Sequence, residues 1–207
     1  LNEYSSRDKK PLFIYAGTPE ATAGATQMFD WPLPTTEEAP YVVQDPKNPR
    51  WSYANSKALG EQAVIHNGVL EWIAVRPQNV YGPRQKDHFI SEFVARAKQD
   101  EFTVFGGVNT RTFLYIDDCV DAFIKLWKTK SAHNDIYNLG GNTETSIHSV
   151  ASLLMQLMEK KGELVIHPAP KGSVNRRWPD ITKIKKAIDW EPTTELAVGL
   201  GRTLETL

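Results

Sequence analysis

Three short apolar runs, far apart in the chain, constrain the fold most. They are P-L-F-I-Y-A at 11–16, E-W-I-A-V-R at 71–76 and D-I-Y-N-L at 135–139. Continuous apolar runs of this length, ended by glycine or proline, are typical of strands that are buried in a parallel sheet. The segments between them carry helical patterns. Strands that alternate with helices predict an α/β fold with a mostly parallel sheet.

The remaining segments predict further helices, two short strands and one long loop. Four helices are expected, at 52–66, at 88–99, after Asp117 and Asp118, and after a cap at Thr145 or Ser146. The other expected elements are a loop over 17–50, strands at 103–105 and 163–166, a basic loop at 176–177, and two short helices separated by Trp190-Glu191-Pro192.

Charge and cysteine content exclude several classes of protein. The chain of 207 residues has 24 Lys plus Arg against 25 Asp plus Glu, a formal net charge of -1. This balance gives no electrostatic reason to bind nucleic acid or an anionic membrane. A single cysteine, Cys119, excludes a disulfide framework, and the histidines lack ligand spacing, so no metal site is expected. We therefore expect a cytoplasmic protein without a nucleic-acid or membrane partner.

Tyr53 and Lys57 stand four residues apart in the helix predicted at 52–66, so both side chains leave the same face. An ammonium beside a phenol stabilises the phenolate, which favours a tyrosine as a general base. The same spacing also occurs on ordinary solvated helix faces, so the surrounding sequence must distinguish a catalytic pair from a solvated face. Thr18 comes just after the 11–16 run, at the strand end where ligands bind in open α/β sheets.

Six motifs in a fixed order cover nearly the whole chain. They are A-G-T-P-E at 16–20, Y-A-N-S-K at 53–57, R-P-Q-N-V-Y-G-P-R at 76–84, R-T-F-L-Y-I-D-D at 111–118, Y-N-L-G-G at 137–141 and R-R-W-P-D-I-T-K-I-K-K-A-I-D-W-E-P at 176–192. Together they resemble the extended short-chain dehydrogenase/reductases that act on nucleotide sugars. The resemblance implies a Rossmann-type α/β fold, NAD as cofactor and a UDP-sugar as substrate.

Four residues take roles in the reaction that this resemblance implies. Tyr53 would accept the proton of the sugar 4-hydroxyl while hydride passes to NAD. Lys57 would support Tyr53 and hold the nicotinamide ribose. Thr18 would hydrogen-bond the same sugar hydroxyl, and Asn79 would contact the nucleotide sugar.

Three arginines complete the implied site. Arg84 lies where some members of the family reach the cofactor. Arg111 and Arg177 match arginines that bind the diphosphate or a sugar acid. Arginine suits both groups because it forms bidentate contacts with phosphate and carboxylate. A surface salt bridge is the plain alternative for Arg111 and Arg177.

Glu20 narrows the expected reaction. A glutamate two residues after the threonine resembles the 4,6-dehydratases and sugar-acid decarboxylases, but Pro19 stands where dehydratases place an aspartate. P-R-W-S-Y at 49–53 and Arg177 also resemble the decarboxylases. We therefore expect a UDP-glucuronate decarboxylase-like lyase, narrowly ahead of a 4-epimerase (an isomerase) or a 4,6-dehydratase. Ala21-Thr22-Ala23 departs from the Val-Tyr-Gly of most relatives.

The glycine-rich dinucleotide fingerprint of the family is absent from this sequence, which also begins at Leu1 rather than Met. We therefore expect a missing N-terminal half, and residues 1–150 to form the C-terminal half of a Rossmann-type domain. A substrate-binding lobe is expected at 151–207, with a contribution from 83–112. The expected partner is a second copy in a homodimer or the missing half. A non-catalytic nucleotide-sugar-binding or partner subunit stays open.

Overall fold

A computed structural model of the chain describes residues 10–207 and has the α/β architecture that the sequence predicts. Seven α-helices alternate with ten strands in these residues. The strands are β1 (Leu12–Ala16), β2 (Glu71–Pro77), β3 (Val80–Tyr81), β4 (Thr103–Phe105), β5 (Thr110–Arg111), β6 (Leu114–Tyr115), β7 (Asp135–Leu139), β8 (Thr145–Ser146), β9 (Val165–His167) and β10 (Arg176–Arg177). The helices are α1 (Gly24–Phe29), α2 (Arg50–Ile65), α3 (Phe89–Ala97), α4 (Ile116–Lys128), α5 (Ile147–Leu157), α6 (Thr182–Ile188) and α7 (Leu196–Leu204).

The three apolar runs form one parallel sheet in the order β1-β2-β7. Leu12 pairs with Glu71, and Ile73 pairs with Asp135. The central strand β2 is the most deeply buried, and its residues 73–76 are all inaccessible. Because all three strands run the same way, their carboxyl ends meet at one edge, where Gly17, Gln78 and Gly140 begin the loops that follow.

Most of the helices begin and end close to their predicted bounds. The predicted helix 52–66 is α2, and 88–99 is α3, which buries Ile90, Phe93 and Val94. Ser146 caps α5 because its hydroxyl accepts a hydrogen bond from the Ser149 amide at 3.0 Å.

Three predictions of local structure were wrong. The predicted loop 17–50 contains a 3₁₀ turn at Pro19–Ala21 and the short helix α1. The strand predicted at 163–166 lies at Val165–His167, because pairing with β4 sets its register. The basic loop at 176–177 is strand β10, since it pairs in parallel with β5. Tertiary pairing overrides the local pattern at both strands.

Two large apolar cores support the fold, and a small third cluster of Ala25, Ala39 and Val42 lies near α1. One lies between the sheet and helices α4 and α6, and it includes Cys119, whose burial raises its pKa to about 11. The other joins α3, α5 and α7 around Phe93, Leu154 and Leu200. Position 150 lies inside α5, and the domain boundary expected there stays a prediction.

We predict opposite effects for alanine at two helical glycines. A Cβ at Gly60 in α2 would clash with the Tyr15 hydroxyl, whereas a Cβ at Gly201 in α7 meets nothing within 4 Å. We expect Gly60→Ala to lower the free energy of unfolding by about 1–3 kcal/mol. Gly201→Ala should raise it by about 0.5–1 kcal/mol, because alanine favours a helix. Urea denaturation of both variants measures this, and a tolerated Gly60→Ala would contradict the packing described.

Candidate active site

A cavity of about 450 Å³ opens at the carboxyl edge of the sheet. It brings together five of the residues that the sequence singled out, which are Thr18, Glu20, Tyr53, Asn79 and Arg177. These residues come from four separate segments between positions 18 and 177. The convergence of such distant residues on one cavity supports a shared function.

Helix α2 carries Tyr53 and Lys57 to this edge. Tyr53 lines the cavity, and half of its side chain is exposed. Lys57 stands outside the lining, and its ammonium donates a hydrogen bond to the Ala16 carbonyl at 2.8 Å. The Tyr15 hydroxyl donates to the Lys57 carbonyl at 3.1 Å, and the Lys57 Nζ lies 5.5 Å from the centre of the Tyr15 ring. The end of β1 therefore holds Lys57 at both its main chain and its side chain.

The turn after β1 holds Thr18 and Glu20. Thr18 is buried, and its hydroxyl oxygen accepts a hydrogen bond from the Glu20 amide at 3.3 Å, which caps the 3₁₀ turn. Pro19 begins this turn, where its fixed φ angle is favourable. Glu20 therefore extends into the cavity, and its carboxylate forms a 2.7 Å ion pair with Arg177 Nη2.

Arg177 and Asn79 come from the opposite wall. Strand β10 pairs Arg177 with Arg111 of β5, and the Arg177 side chain is 13% exposed. Asn79 has a left-handed backbone, with φ of 37°, and its side-chain amide donates to the Thr112 carbonyl at 2.7 Å. The cavity thus combines a phenol, a carboxylate, a guanidinium and a carboxamide.

Arg84 and Arg111 do not line this cavity. Arg84 is exposed with a φ of 64°, and its main-chain amide donates to the Thr206 hydroxyl at 3.0 Å. The Arg111 guanidinium donates to the Thr110 carbonyl at 2.7 Å and to the Asn175 carbonyl at 3.3 Å. The cofactor and diphosphate roles of these two arginines stay predictions.

A buried ion pair lies beneath the site. Arg76 of β2 and Glu61 of α2 are both 1% exposed. The Arg76 Nε and Nη2 donate to the two Glu61 oxygens at 3.1 and 2.6 Å. The Tyr41 hydroxyl also donates to Glu61, at 2.6 Å, and Arg76 Nη1 donates to the Glu37 carbonyl at 3.0 Å. Burial raises the pKa of Tyr41, and its hydrogen bond to the Glu61 carboxylate raises it further.

Several other residues that line the cavity were not predicted from the sequence, among them Gln85, His88 and Phe113. Gln85 directly follows Arg84, and Phe113 lies inside the motif at 111–118, so proximity to the motifs was the available signal. His88 gives no such signal. It reaches the cavity only because α3 begins at its edge.

Metal and membrane features can be assessed for residues 10–207. Within this range no three histidine, cysteine or acidic side chains are grouped as a metal would require. The helices in the same range are all too short or too polar to cross a bilayer.

Comparison with known proteins identifies the family of this chain. The model of the NAD dependent epimerase/dehydratase family matches residues 1–140, and the chain belongs to this family. It is 31% identical over 95% of its length to a UDP-N-acetyl-alpha-D-glucosaminuronate decarboxylase of Bacillus cytotoxicus. It is 29% identical over 83% of its length to a UDP-glucose 4-epimerase of Mycolicibacterium smegmatis. The chain spans 63% and 56% of these two relatives.

Solved structures also share the fold. A UDP-glucuronic acid 4-epimerase from Bacillus cereus, in complex with UDP-glucuronic acid and NAD, has a TM-score of 0.81 at 26% identity. This match covers 95% of the chain and 61% of the epimerase. The Rossmann-type α/β class and the family that the motifs resemble are therefore confirmed.

Loss of one partner of the buried ion pair should destabilise the fold strongly. We expect Arg76→Met to lower the free energy of unfolding by about 3–5 kcal/mol, because it leaves the Glu61 carboxylate buried without its cation. Adding Glu61→Met should recover much of the loss. Lys185→Met is the control, since the 2.6 Å Lys185–Glu191 pair is largely exposed and should contribute at most about 1 kcal/mol. Thermal unfolding of the four proteins measures these effects, and equal losses for Arg76→Met and Lys185→Met would contradict this account.

Proposed function

We propose that the complete protein is an NAD-dependent enzyme that modifies a nucleotide sugar through a 4-keto intermediate. The best-supported activity is that of a UDP-glucuronate decarboxylase-like enzyme. The observation that carries the proposal is the placement of Tyr53 and the Glu20–Arg177 pair in one cavity. The chain's relatives include decarboxylases and epimerases of UDP-sugars.

The side chains of Lys57 and Tyr53, which α2 places near the end of β1, fit one part of a dinucleotide. An ammonium and a phenol beside a carboxyl strand edge are donors of the kind that hold ribose hydroxyls. Lys57 would hold the nicotinamide ribose, together with Tyr53. NAD, when bound, would accept hydride from C4 of the sugar and return it at the end. These 207 residues lack the glycine-rich dinucleotide fingerprint, so Lys57 and Tyr53 would supply only the nicotinamide-ribose part of an NAD site.

Tyr53 would move the first proton. As a phenolate, the half-exposed Tyr53 can take the proton of the sugar 4-hydroxyl, so that a C4 ketone forms when hydride leaves C4. Thr18 would hold the same oxygen, and Asn79 would orient the nucleotide sugar. The C5 carboxylate is then a β-keto acid, and cleavage of its bond to C5 releases carbon dioxide and leaves an enolate. A proton delivered to C5 completes this step.

Glu20 and Arg177 would manage that carboxylate and proton. Arg177 can pair with a sugar carboxylate. In this structure the Glu20 carboxylate occupies that position, 2.7 Å from Arg177 Nη2. Binding of an acidic sugar at Arg177 therefore requires Glu20 to release the guanidinium or to gain a proton. Once Glu20 has left Arg177 and gained a proton from solvent, its carboxyl group can deliver that proton to C5.

A second activity fits the same cavity. A UDP-glucuronate 4-epimerase would use Tyr53 and an anchored carboxylate without losing carbon dioxide, and a solved structure of that activity resembles this chain. Measurement of carbon dioxide release from UDP-glucuronate separates the two reactions. We further propose a homodimer as the assembly.

Tyr53→Phe should abolish hydride transfer in the complete protein. The substitution removes only the hydroxyl that accepts the proton, from a side chain that is half exposed, so the fold should persist. Stopped-flow absorbance at the NADH band follows the transfer, and circular dichroism checks the fold. Undiminished turnover of the variant would remove the assignment.

Arg177→Ala should impair acidic substrates selectively. We expect a loss of about 10²–10³ in kcat/KM for UDP-glucuronate, because a charge-assisted contact is worth roughly 2–4 kcal/mol in an enclosed site. Lys57 is unaffected, so NAD binding should persist. Arg202→Ala, which removes an exposed arginine of α7 outside the cavity, is the matched control. Equal losses of affinity for UDP-glucose and UDP-glucuronate would count against a carboxylate at Arg177.

A further inference from the structure

The segment that carries Arg177 is tied to the loop around Thr35. The Thr35 amide donates to the Trp178 carbonyl at 2.7 Å, and the Asp180 amide donates to the Thr35 carbonyl at 2.7 Å. These bonds form a parallel bridge between Thr35 and Pro179. The bridge begins one residue after Arg177, so it fixes the chain directly beside the guanidinium that pairs with Glu20.

Asn138, in β7, holds both sides of this bridge from the sheet. Its Nδ2 donates to the Thr35 carbonyl at 3.0 Å and to the Asp180 carbonyl at 3.4 Å. Its own main-chain amide donates to the Glu37 carboxylate at 2.8 Å. Asn138 is 3% exposed, so water cannot easily replace these partners. We call the side-chain amide of Asn138, together with the Thr35 and Asp180 carbonyls that accept its hydrogen bonds, the clasp.

On its other side, the Arg177 segment is held by β5 and by an ion pair between Arg176 and Glu144 at 2.6 Å. Strand β10 has two residues and pairs with β5, which also has two residues. Behind the active site, a cavity of about 10 Å³ is bordered by Pro19, Thr35, Asn138, Arg177 and Trp178, among others. The clasp, the Arg177 segment and the turn that bears Glu20 therefore meet at one place.

We propose that Asn138 is a positioning residue for Arg177. By holding Thr35 and Asp180 together, the clasp sets the position of the guanidinium, and with it the selectivity of the cavity for a sugar that carries a carboxylate. The first claim, that the clasp positions the guanidinium, is independent of the proposed function. The second claim, that it sets the selectivity for a carboxylate, rests on the proposed function. Asn138, Thr35 and Asp180 do not line the active-site cavity, so Asn138 acts only through Arg177.

Hydrogen exchange in the complete protein tests the first claim. Asn138→Ala removes the donor, and Asn138→Asp keeps the volume but replaces the donor with an oxygen. We expect faster amide exchange over residues 33–38 and 176–181 in both variants, while the amides of β1 and β2 stay protected. Asn142→Ala is the control, because its exposed amide donates to Glu191 at 3.2 Å, outside the clasp. Unchanged exchange in a folded Asn138 variant would overturn the clasp.

Binding selectivity tests the second claim. Asn138→Ala should lower the affinity ratio of UDP-glucuronate to UDP-glucose by about threefold to tenfold. The same substitution in an Arg177→Ala background should leave that ratio unchanged, because the guanidinium that it positions is absent. Equal weakening of both ligands, or the same loss of ratio without Arg177, would show a purely structural role and overturn the positioning.

The two measurements separate this inference from the proposed function. A wild-type protein without preference for UDP-glucuronate would overturn the proposed role of Arg177 and the selectivity that Asn138 confers. The exchange measurement would then still decide whether Asn138 holds the segment. Isothermal titration calorimetry with each nucleotide sugar gives the affinities for all variants.

Discussion

The buried ion pair between Arg76 and Glu61 is the interaction on which the site depends. It joins the central strand β2 to helix α2 and, through Tyr41 and Glu37, to the loop that follows α1. Two desolvated charges are tolerated because the Arg76 Nε, Nη1 and Nη2 and the Tyr41 hydroxyl each have an acceptor. The pair also explains a glycine in the first motif: a Cβ at residue 17 would lie 2.9 Å from a Glu61 oxygen. One ion pair thus fixes both the helix that bears Tyr53 and the turn that bears Thr18.

The same polar network continues toward the opposite wall of the cavity. The Glu37 carbonyl accepts a hydrogen bond from Arg76, and the Glu37 carboxylate accepts one from the main-chain amide of Asn138. Burial raises the pKa of this carboxyl group. Asn138 then reaches the segment of Arg177. A contiguous set of hydrogen bonds therefore links Glu61 on the tyrosine helix to Asp180, three residues after Arg177. Such a network favours one arrangement of the two walls, because any alternative leaves a buried polar group without a partner.

The sequence predicted the part of this structure that local patterns encode. The three buried strands follow from uninterrupted apolar runs, and Ser146 as a cap follows from its position before an apolar stripe. The cluster of Thr18, Glu20, Tyr53, Asn79 and Arg177 was expected from motifs. What could not be predicted depends on pairing between distant segments. Strand β10 exists only because β5 lies beside it. The Glu20–Arg177 ion pair and the Asn138–Thr35 hydrogen bond each join residues more than a hundred positions apart.

The topology of the sheet has a consequence for how the chain acquires its structure. Each of the two strand pairs, β1 with β2 and β2 with β7, closes a loop of roughly 60 residues, and no hairpin brings the strands together first. Helices α3, α5 and α7 share a core of their own, so they can collapse before the sheet is complete. The cavity would then be among the last features to form during refolding, since its walls come from both ends of those loops.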